Sequence, residues 1–483
     1  MEADVRGQCV TDSFRWPLEY SAGARGLDAL LAKLLAGINL ITDFSGIGQA
    51  EAAVHYVQVA LKLLGHSGFR GVQVTRSSDI LASCRRVLAA IRDATGSGCC
   101  ILGDMTKGMD QSVLKDIRAL QDEHRKMIRS TYRSQQVRKQ HIRKLGRKFL
   151  KAARARIVAQ LPEASEVMAH CYTCKRKCNA FPKTSEPVGL TGNISGTMCT
   201  PWSRMGKQFG WLDPASIPFL VLTSDILVAK YAFVIIECTP GFDVDALVML
   251  FPECTVRAVT FSPHQLGFPQ RRERVYVVVL RDEKLKWRLD YNIKNFSDQF
   301  FREHLLFDAE DYLRAPESSL SEFRKFLASA QHMPEHVDGG GSQWPWLSVI
   351  GGSKKRRLQQ KEATAATQGF GKHSHLFWDL RQSSLFTHYV ETDILPTFLR
   401  RTFVWSNFSR RPVHPHEALE AQGVPIFVPA GSPFQCLWRD VLSGHSAVSL
   451  AKCQSFAGNA MHAAAVGSVF LFMCCNTDLQ AAA

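Results

Sequence analysis

The sequence predicts an α/β protein: a doubly wound, mostly parallel sheet with a smaller, loop-rich second domain. Three observations carry that expectation. Apolar strand-like runs alternate with amphipathic helical runs through the first hundred residues, the pattern of a parallel sheet with helical crossovers. The first strand runs straight into a glycine turn that opens a helix, which offers backbone N–H groups to a ligand. The chain is 483 residues long and 46% hydrophobic, enough for two or three domains and a large core.

Each element has its own signal. The first 37 residues read as a helical extension ending in "LDALLAKLLAG", where Leu27, Leu30, Leu31, Leu34 and Leu35 make an apolar stripe and Asp28 and Lys33 fall off it. "INLITDF" is a strand that stops at Gly46-Ile-Gly48, and a helix is expected from Ala50 to about Leu64. "GVQVTRSSDI" reads as a second strand, "LASCRRVLAAIRDA" as a second helix and "CCILGD" as a third strand ending at Asp104. A basic helical insertion, about residues 107–185, interrupts this alternation. Strand signals resume in "VGLTGNISG", "YAFVIIEC", "VRAVTF" and "RVYVVVL", which closes a first domain (38–280) near Leu280. Beyond it periodicity fades, so 281–405 is expected as a recognition-type domain and 406–483 as a segment returning to the first. No internal repeat is visible.

Charge narrows the partners. The chain has 59 Lys and Arg against 44 Asp and Glu, a net charge of +15, which favours a polyanion and above all nucleic acid. From Arg125 to Arg156 the chain contains no acidic residue, whereas an ordinary solvated helix face mixes signs. The N-terminus lacks a basic start followed by an apolar run, and the longest apolar stretch, Ala460 to Cys475, falls short of the ~20 residues a bilayer helix needs. These features lead us to expect a soluble intracellular or nuclear protein without a membrane partner. "KKRR" at Lys354–Arg357 reads equally as a nuclear signal, a phosphate contact or a solvated loop. Fourteen irregularly spaced cysteines then read as reduced thiols. Cys171, Cys174 and Cys178, beside His170, have spacing that suits zinc, although His170 and Cys171 are neighbours and a fourth ligand is not evident; thiols on a basic loop are the competing reading.

One cysteine stands apart. "GTMCTPWS" sets Cys199 between small and turn-forming residues, and taken alone it reads as a buried, inert thiol. Its company changes that reading. "DFSGIG" (Asp43–Gly48), "GD" (Gly103–Asp104), "CTPWS" (Cys199–Ser203), "IIEC" (Ile235–Cys238), "QRRER" (Gln270–Arg274), "HPHEALEAQGVP" (His414–Pro425) and "AGNAMH" (Ala457–His462) follow in succession. In this order, from about Ile38 to Met473, the chain resembles the cytosine-5 DNA methyltransferase family, which includes a tRNA-modifying branch. "GFPQRRERVYVV" is the most specific match.

The resemblance implies the S-adenosylmethionine-dependent methyltransferase fold and a defined chemistry. Carbon 5 of cytosine is a poor nucleophile until a thiolate adds at carbon 6, a role that falls to Cys199. A carboxylic acid must protonate ring nitrogen 3, which suits Glu237 at the end of an apolar strand. A fixed guanidinium should hold the ring carbonyl: Arg274 first, Arg272 second, with Gln270 holding the loop. For S-adenosylmethionine, the matching positions are Phe44, Ser45, Gly46 and Gly48 in the glycine turn, Asp104 and Met105 at the adenine, and Asn459 in the late segment. The base must be flipped out of its helix, and DNA is expected over tRNA.

The chain also departs from the family pattern. Met198 and Thr200 stand where proline and glutamine flank the cysteine. Cys238 and Thr239 follow Glu237 in place of asparagine and valine. The acidic ribose position falls at Ser77, with Asp79 as its possible substitute. "MHAAAVG" replaces a proline-rich run after Asn459. These departures keep a weakened, nucleic-acid-binding paralogue as the alternative.

Overall fold

A computed structural model describes residues 12–128, 134–161, 167–180, 189–288, 292–331, 346–371, 374–382, 392–443 and 448–480. Its strands, in chain order, are β1 (Ile38–Asp43), β2 (Val72–Ser78), β3 (Cys100–Leu102), β4 (Met168–His170), β5 (Lys177–Asn179), β6 (Leu190–Gly196) and β7 (Phe233–Cys238). They continue with β8 (Cys254–Phe261), β9 (Arg274–Arg281), β10 (Leu285–Trp287), β11 (Phe377–Asp379), β12 (Val404–Ser406), β13 (Arg411–Pro412) and β14 (Thr477–Leu479).

Seven of these form the central sheet, in the order β3-β2-β1-β6-β7-β9-β8. All neighbours pair in parallel except around β9, which runs antiparallel to both β7 and β8. This is the doubly wound, mostly parallel sheet expected. Alternation along the strands explains the layering. Val234, Ile236, Val275, Val277 and Val279 point to one face, in a core completed by the helices Gln111–Lys126, Gln135–Ala159, Ile217–Ala229 and Val244–Leu250. On the other face Phe233 meets Phe470 of the helix Ala463–Cys475 with ring centroids 6.2 Å apart. Gly192 of β6 makes room there: a Cβ on it would lie 2.0 Å from the Phe233 ring.

The chain divides into two compact units. The larger holds Pro17–Phe261, Glu273–Phe300 and Val466–Ala483, and the smaller holds Met1–Trp16, Ser262–Arg272 and Phe301–Ala465. The boundary expected at residue 405 therefore falls after Ala465, because the antiparallel sheet β11-β12-β13 and its core of Trp405, Trp346, Phe323 and Leu358 draw residues 406–465 into the same unit. Only the last segment returns to the larger unit, where β14 pairs with β10. The smaller unit is also less loop-rich than expected, with helices at Glu317–Ser329 and Gly352–Thr367. "KKRR" sits in the second of these rather than in a loop: Lys354 Nζ lies 4.7 Å from the Phe403 ring centre, and Arg357 donates to the carbonyls of Leu380 and Arg381.

Two local expectations change for physical reasons. In the helix Leu27–Ala36, Lys33 is buried and Leu35 is exposed. The last strand explains it, since Lys33 donates to the carbonyls of Ala29, Cys474 and Thr477 and satisfies three acceptors at once. The apolar stretch at the C-terminus is part of a longer one, Leu450–Cys475, which is long and apolar enough to cross a membrane by composition. The 18 residues of it that are apolar enough to span are 89% buried inside the protein, and helix is interrupted between Asn459 and Ala463.

Candidate active site

In open α/β sheets, ligands bind outside the carboxyl ends of the strands, where the winding changes direction. Here that switch lies between β1 and β6, whose register pairs Asp43 with Ser195. Beyond β1 comes the glycine turn, and beyond β6 comes the Cys199 loop. Both belong to the larger unit, as does the end of β7.

The turn is built by backbone conformation. Phe44, Gly46 and Gly48 all have positive φ, at 52°, 56° and 72°. Gly48 has no room for a side chain as well, since a Cβ there would lie 2.2 Å from Ile91. The Ser45 hydroxyl donates to the Thr42 carbonyl (3.0 Å), and the Ser45 N–H donates to the Ser78 carbonyl (3.0 Å). Helix Gln49–Leu63 starts immediately after, so its positive end faces the turn.

The two candidates for the ribose position divide. Ser77 is buried, and its hydroxyl is shared between Thr42 (2.9 Å) and the buried carboxyl of Glu51 (2.9 Å). Asp79 comes directly after the end of β2 and accepts from the N–H groups of Gly46 (3.0 Å) and Leu81 (2.7 Å). Burial raises its pKa, against the pull of those two donors. At the end of β3, Asp104 Oδ1 accepts from the N–H and hydroxyl of Thr106 and caps the short helix that carries Met105.

The candidates for the reactive half lie on and just beyond the ends of β6 and β7. Their register pairs Gly196 with Glu237, so Cys199 lies three residues beyond the strand whose end faces that carboxyl. Thr197 donates its N–H to the Glu237 carbonyl (3.1 Å), which ties the loop to β7. Cys199's own carbonyl accepts from Trp202 (3.0 Å) and Ser203 (2.9 Å), a tight turn. Trp202 then anchors the loop edge-on against Trp211 and Phe242, with centroids 5.0 and 4.8 Å apart. Cys238, in the position of the missing asparagine, bonds through its thiol to Thr197. Burial, helped by the nearby Glu237 and Cys199, pushes the Cys238 thiol up to about 12, so it stays protonated. Cys199 is the partly exposed sulfur of the two.

Glu237 and Arg274 are both buried, and Arg274 Nε lies 2.9 Å from Glu237 Oε1. Antiparallel pairing of β7 with β9 brings the guanidinium there, because Cys238 sits opposite Val275. Arg272 is engaged differently. It lies in the smaller unit and donates to the carbonyls of Phe398, Gly458 and Ala460, at 3.2, 3.3 and 2.6 Å. The two arginines that the sequence leaves in competition are thus separated: Arg274 accompanies Glu237, and Arg272 fixes backbone around the exposed Asn459. The Gln270 loop is held by backbone, its carbonyl accepting from His264 (3.1 Å) and Arg271 donating to Leu395 (2.9 Å).

Two cavities border these elements. One, about 20 Å³, lies among Asp43, Arg76, Asp104, Met105 and Asp225, with room for about one water. The other, about 320 Å³, runs along β2 between the helices Gln49–Leu63 and Ala82–Thr95, lined from Arg70 and Lys62 at one end of the strand to Ser77 and Glu51 at its carboxyl end.

No family model matches the sequence, and no curated protein matches it. Similar solved structures include the Dnmt2 methyltransferase of S. pombe, at 12% identity and a TM-score of 0.43, covering 90% of this chain and 98% of that one. The methyltransferase EhMeth of Entamoeba histolytica is 13% identical with a TM-score of 0.43, over 90% of this chain and 98% of that one. Likeness this distant decides neither chemistry nor substrate.

Proposed function

We propose that this protein transfers a methyl group from S-adenosylmethionine to carbon 5 of cytosine in nucleic acid, with DNA preferred over tRNA. The observation that supports the reading is the Glu237–Arg274 pair, 2.9 Å apart, at the end of β7, which adjoins the strand β6 that leads into the Cys199 loop. In this reading the Cys199 thiolate adds to carbon 6 of a flipped cytosine, while the Glu237 carboxyl delivers a proton to nitrogen 3 and Arg274 holds the carbonyl oxygen. Carbon 5 of the adduct would take the methyl group, releasing S-adenosylhomocysteine; loss of its proton to solvent and return of the nitrogen 3 proton to Glu237 would then expel the thiolate.

The donor set fits the cofactor: a turn with three positive-φ residues, a helix N-terminus and an acid at the end of β3. S-adenosylmethionine supplies the methyl group as an electrophile. The cavity beneath Asp104 and Met105 holds only about 20 Å³, too small for a purine, so Asp104 and Met105 would have to meet the adenine from outside it. Gly46 and Gly48 would approach the cofactor through backbone, and Asp79 would have to share its carboxyl between the turn and the ribose.

The test uses oligonucleotides containing 5-fluorocytosine, whose C–F bond blocks release of the enzyme. With S-adenosylmethionine, the expected result is a covalent adduct that maps to Cys199, formed with DNA. An adduct with tRNA alone would move the substrate, and no adduct with either would end the reading.

A second reading, a nucleic-acid-binding relative without methyl transfer, is favoured by one observation. The ribose position carries a hydroxyl, Ser77, already bonded into the interior. Both readings share the binding surface. Helix Gln135–Ala159 buries Ile142, Leu145, Phe149, Leu150 and Ala153 and turns Lys144, Lys148 and Lys151 outward, so the basic insertion is a core helix with a charged back. Replacing these three lysines with alanine should weaken binding about equally for all sequences. The slope of log affinity against log salt should fall by roughly one for each phosphate no longer neutralised. Titrations at several salt concentrations measure it; an unchanged slope would remove the helix from the interface.

A further inference from the structure

The sequence offers three cysteines for a metal, and the fold adds a fourth. The Sγ atoms of Cys100, Cys171, Cys174 and Cys178 all lie within 4.8 Å of one another. Cys100 comes from β3, the edge strand of the central sheet, and the other three from the hairpin β4–β5. His170, the neighbour that the sequence brings forward, is exposed and does not belong to the group.

The geometry has three features of a thiolate metal site. Cys100 and Cys174 Sγ are 3.8 Å apart. That is far from a disulfide bond, and it equals the edge of a tetrahedron with metal–sulfur bonds of about 2.3 Å, roughly 3.8 Å. The first two hairpin cysteines form a tight knuckle: the Cys174 N–H points at Cys171 Sγ (3.4 Å), and Lys175 takes a positive φ of 56° to close the turn. Lys175, Arg176 and Lys177 stand between Cys174 and Cys178 in the chain, which suits the net charge of about −2 that four thiolates leave on a divalent ion.

The hairpin also needs a staple. Among the described residues its buried apolar core is Leu102, Ala169, Cys171 and Ala180, with Cys100, Val167, Cys178 and Val228 partly buried against it. It docks on β3 through Tyr172 N–H to the Ile101 carbonyl (2.8 Å) and Ile101 N–H to Thr173 Oγ1 (3.2 Å), with Arg85 stacked 3.9 Å over the Tyr172 ring. So small a cluster is the kind that a structural metal stabilises.

We propose that Cys100, Cys171, Cys174 and Cys178 bind one structural Zn²⁺, which clamps the end of the basic insertion to the edge strand leading to Asp104. All four positions are taken by sulfur, so the site is closed and structural, independent of any methyl transfer.

Metal analysis of the intact protein, expressed with zinc and dialysed, should find about one zinc per chain. X-ray absorption should show four sulfur neighbours at about 2.3 Å. Cys100→Ser should lower the sulfur count to three and weaken zinc retention, whereas Cys254→Ser, outside the group, should change neither. If Cys100→Ser does not fold, the absorption spectrum of the unaltered protein decides alone. A zinc-free protein, a disulfide among these cysteines, or a shell of fewer than four sulfurs would each overturn the assignment.

Discussion

Cys199→Ser should abolish methyl incorporation, lowering the rate by more than about 10³-fold, and should leave no adduct with 5-fluorocytosine. A serine hydroxyl ionises too weakly near neutral pH to replace a thiolate at carbon 6. Nucleic-acid affinity should stay within about twofold, because the substitution removes a reacting atom and leaves the phosphate contacts alone. Cys238 is the control. Its buried thiol is held at about 12 and its bond to Thr197 can be made by a hydroxyl, so Cys238→Ser should keep activity within about tenfold. Glu237→Gln keeps the shape of the side chain but replaces the carboxyl, 2.9 Å from Arg274, with an amide that cannot deliver a proton. A loss of roughly 10²–10⁴-fold in turnover is expected of a general acid. Steady-state assays with tritiated cofactor, beside binding titrations, separate these outcomes. Methyl transfer that persists in Cys199→Ser would end the covalent mechanism.

The sheet was legible because its strands alternate and its turns are marked by glycine, and each strand expected from Ile38 to Leu280 is present. Helix Ile217–Ala229 was not legible. It is buried almost all round, so its apolar residues show no period against a polar face. Cys199 and Glu237 could be picked out only because their blocks stand in the order of the family the chain resembles, since each alone reads as a buried thiol and a strand-end acid. The choice between Arg272 and Arg274 could not, because β9 begins between them: Arg274 starts the strand, and Arg272 remains in the preceding loop. Ser77 and Asp79 turned on where β2 stops, a matter of one residue that propensity does not resolve. Cys100 was invisible as a ligand for a different reason, since sheet-edge pairing brings it to a hairpin more than sixty residues away in sequence.

Arg76→Met should be the most destabilising single change in the sheet, at about 3–5 kcal/mol, because it leaves buried carboxylates without their cation. Arg76 projects from β2 and its guanidinium contacts Asp43 (2.9 Å), Asp225 and the Ala180 carbonyl. Burial is the largest influence on Asp225 and raises its pKa to about 6 even with Arg76 beside it. Without Arg76 that pKa rises further above the unfolded value of about 3.9. An acid whose pKa is raised by folding favours the folded state at low pH and loses that advantage as pH climbs through the folded value. The deficit of Arg76→Met should therefore grow from pH 5 to pH 8. Asp43 keeps Asn193 (2.8 Å) and Ser78 (2.7 Å) as donors, whereas Asp225 stands on the apolar helix Ile217–Ala229. Adding Asp225→Leu should consequently restore more than half of the loss, since a buried ion pair replaced by apolar side chains of similar volume is often neutral or stabilising. Urea titrations of both variants at the two pH values test this. A deficit independent of pH, or a double variant no more stable than Arg76→Met, would show that Arg76 acts through packing and not through its charge.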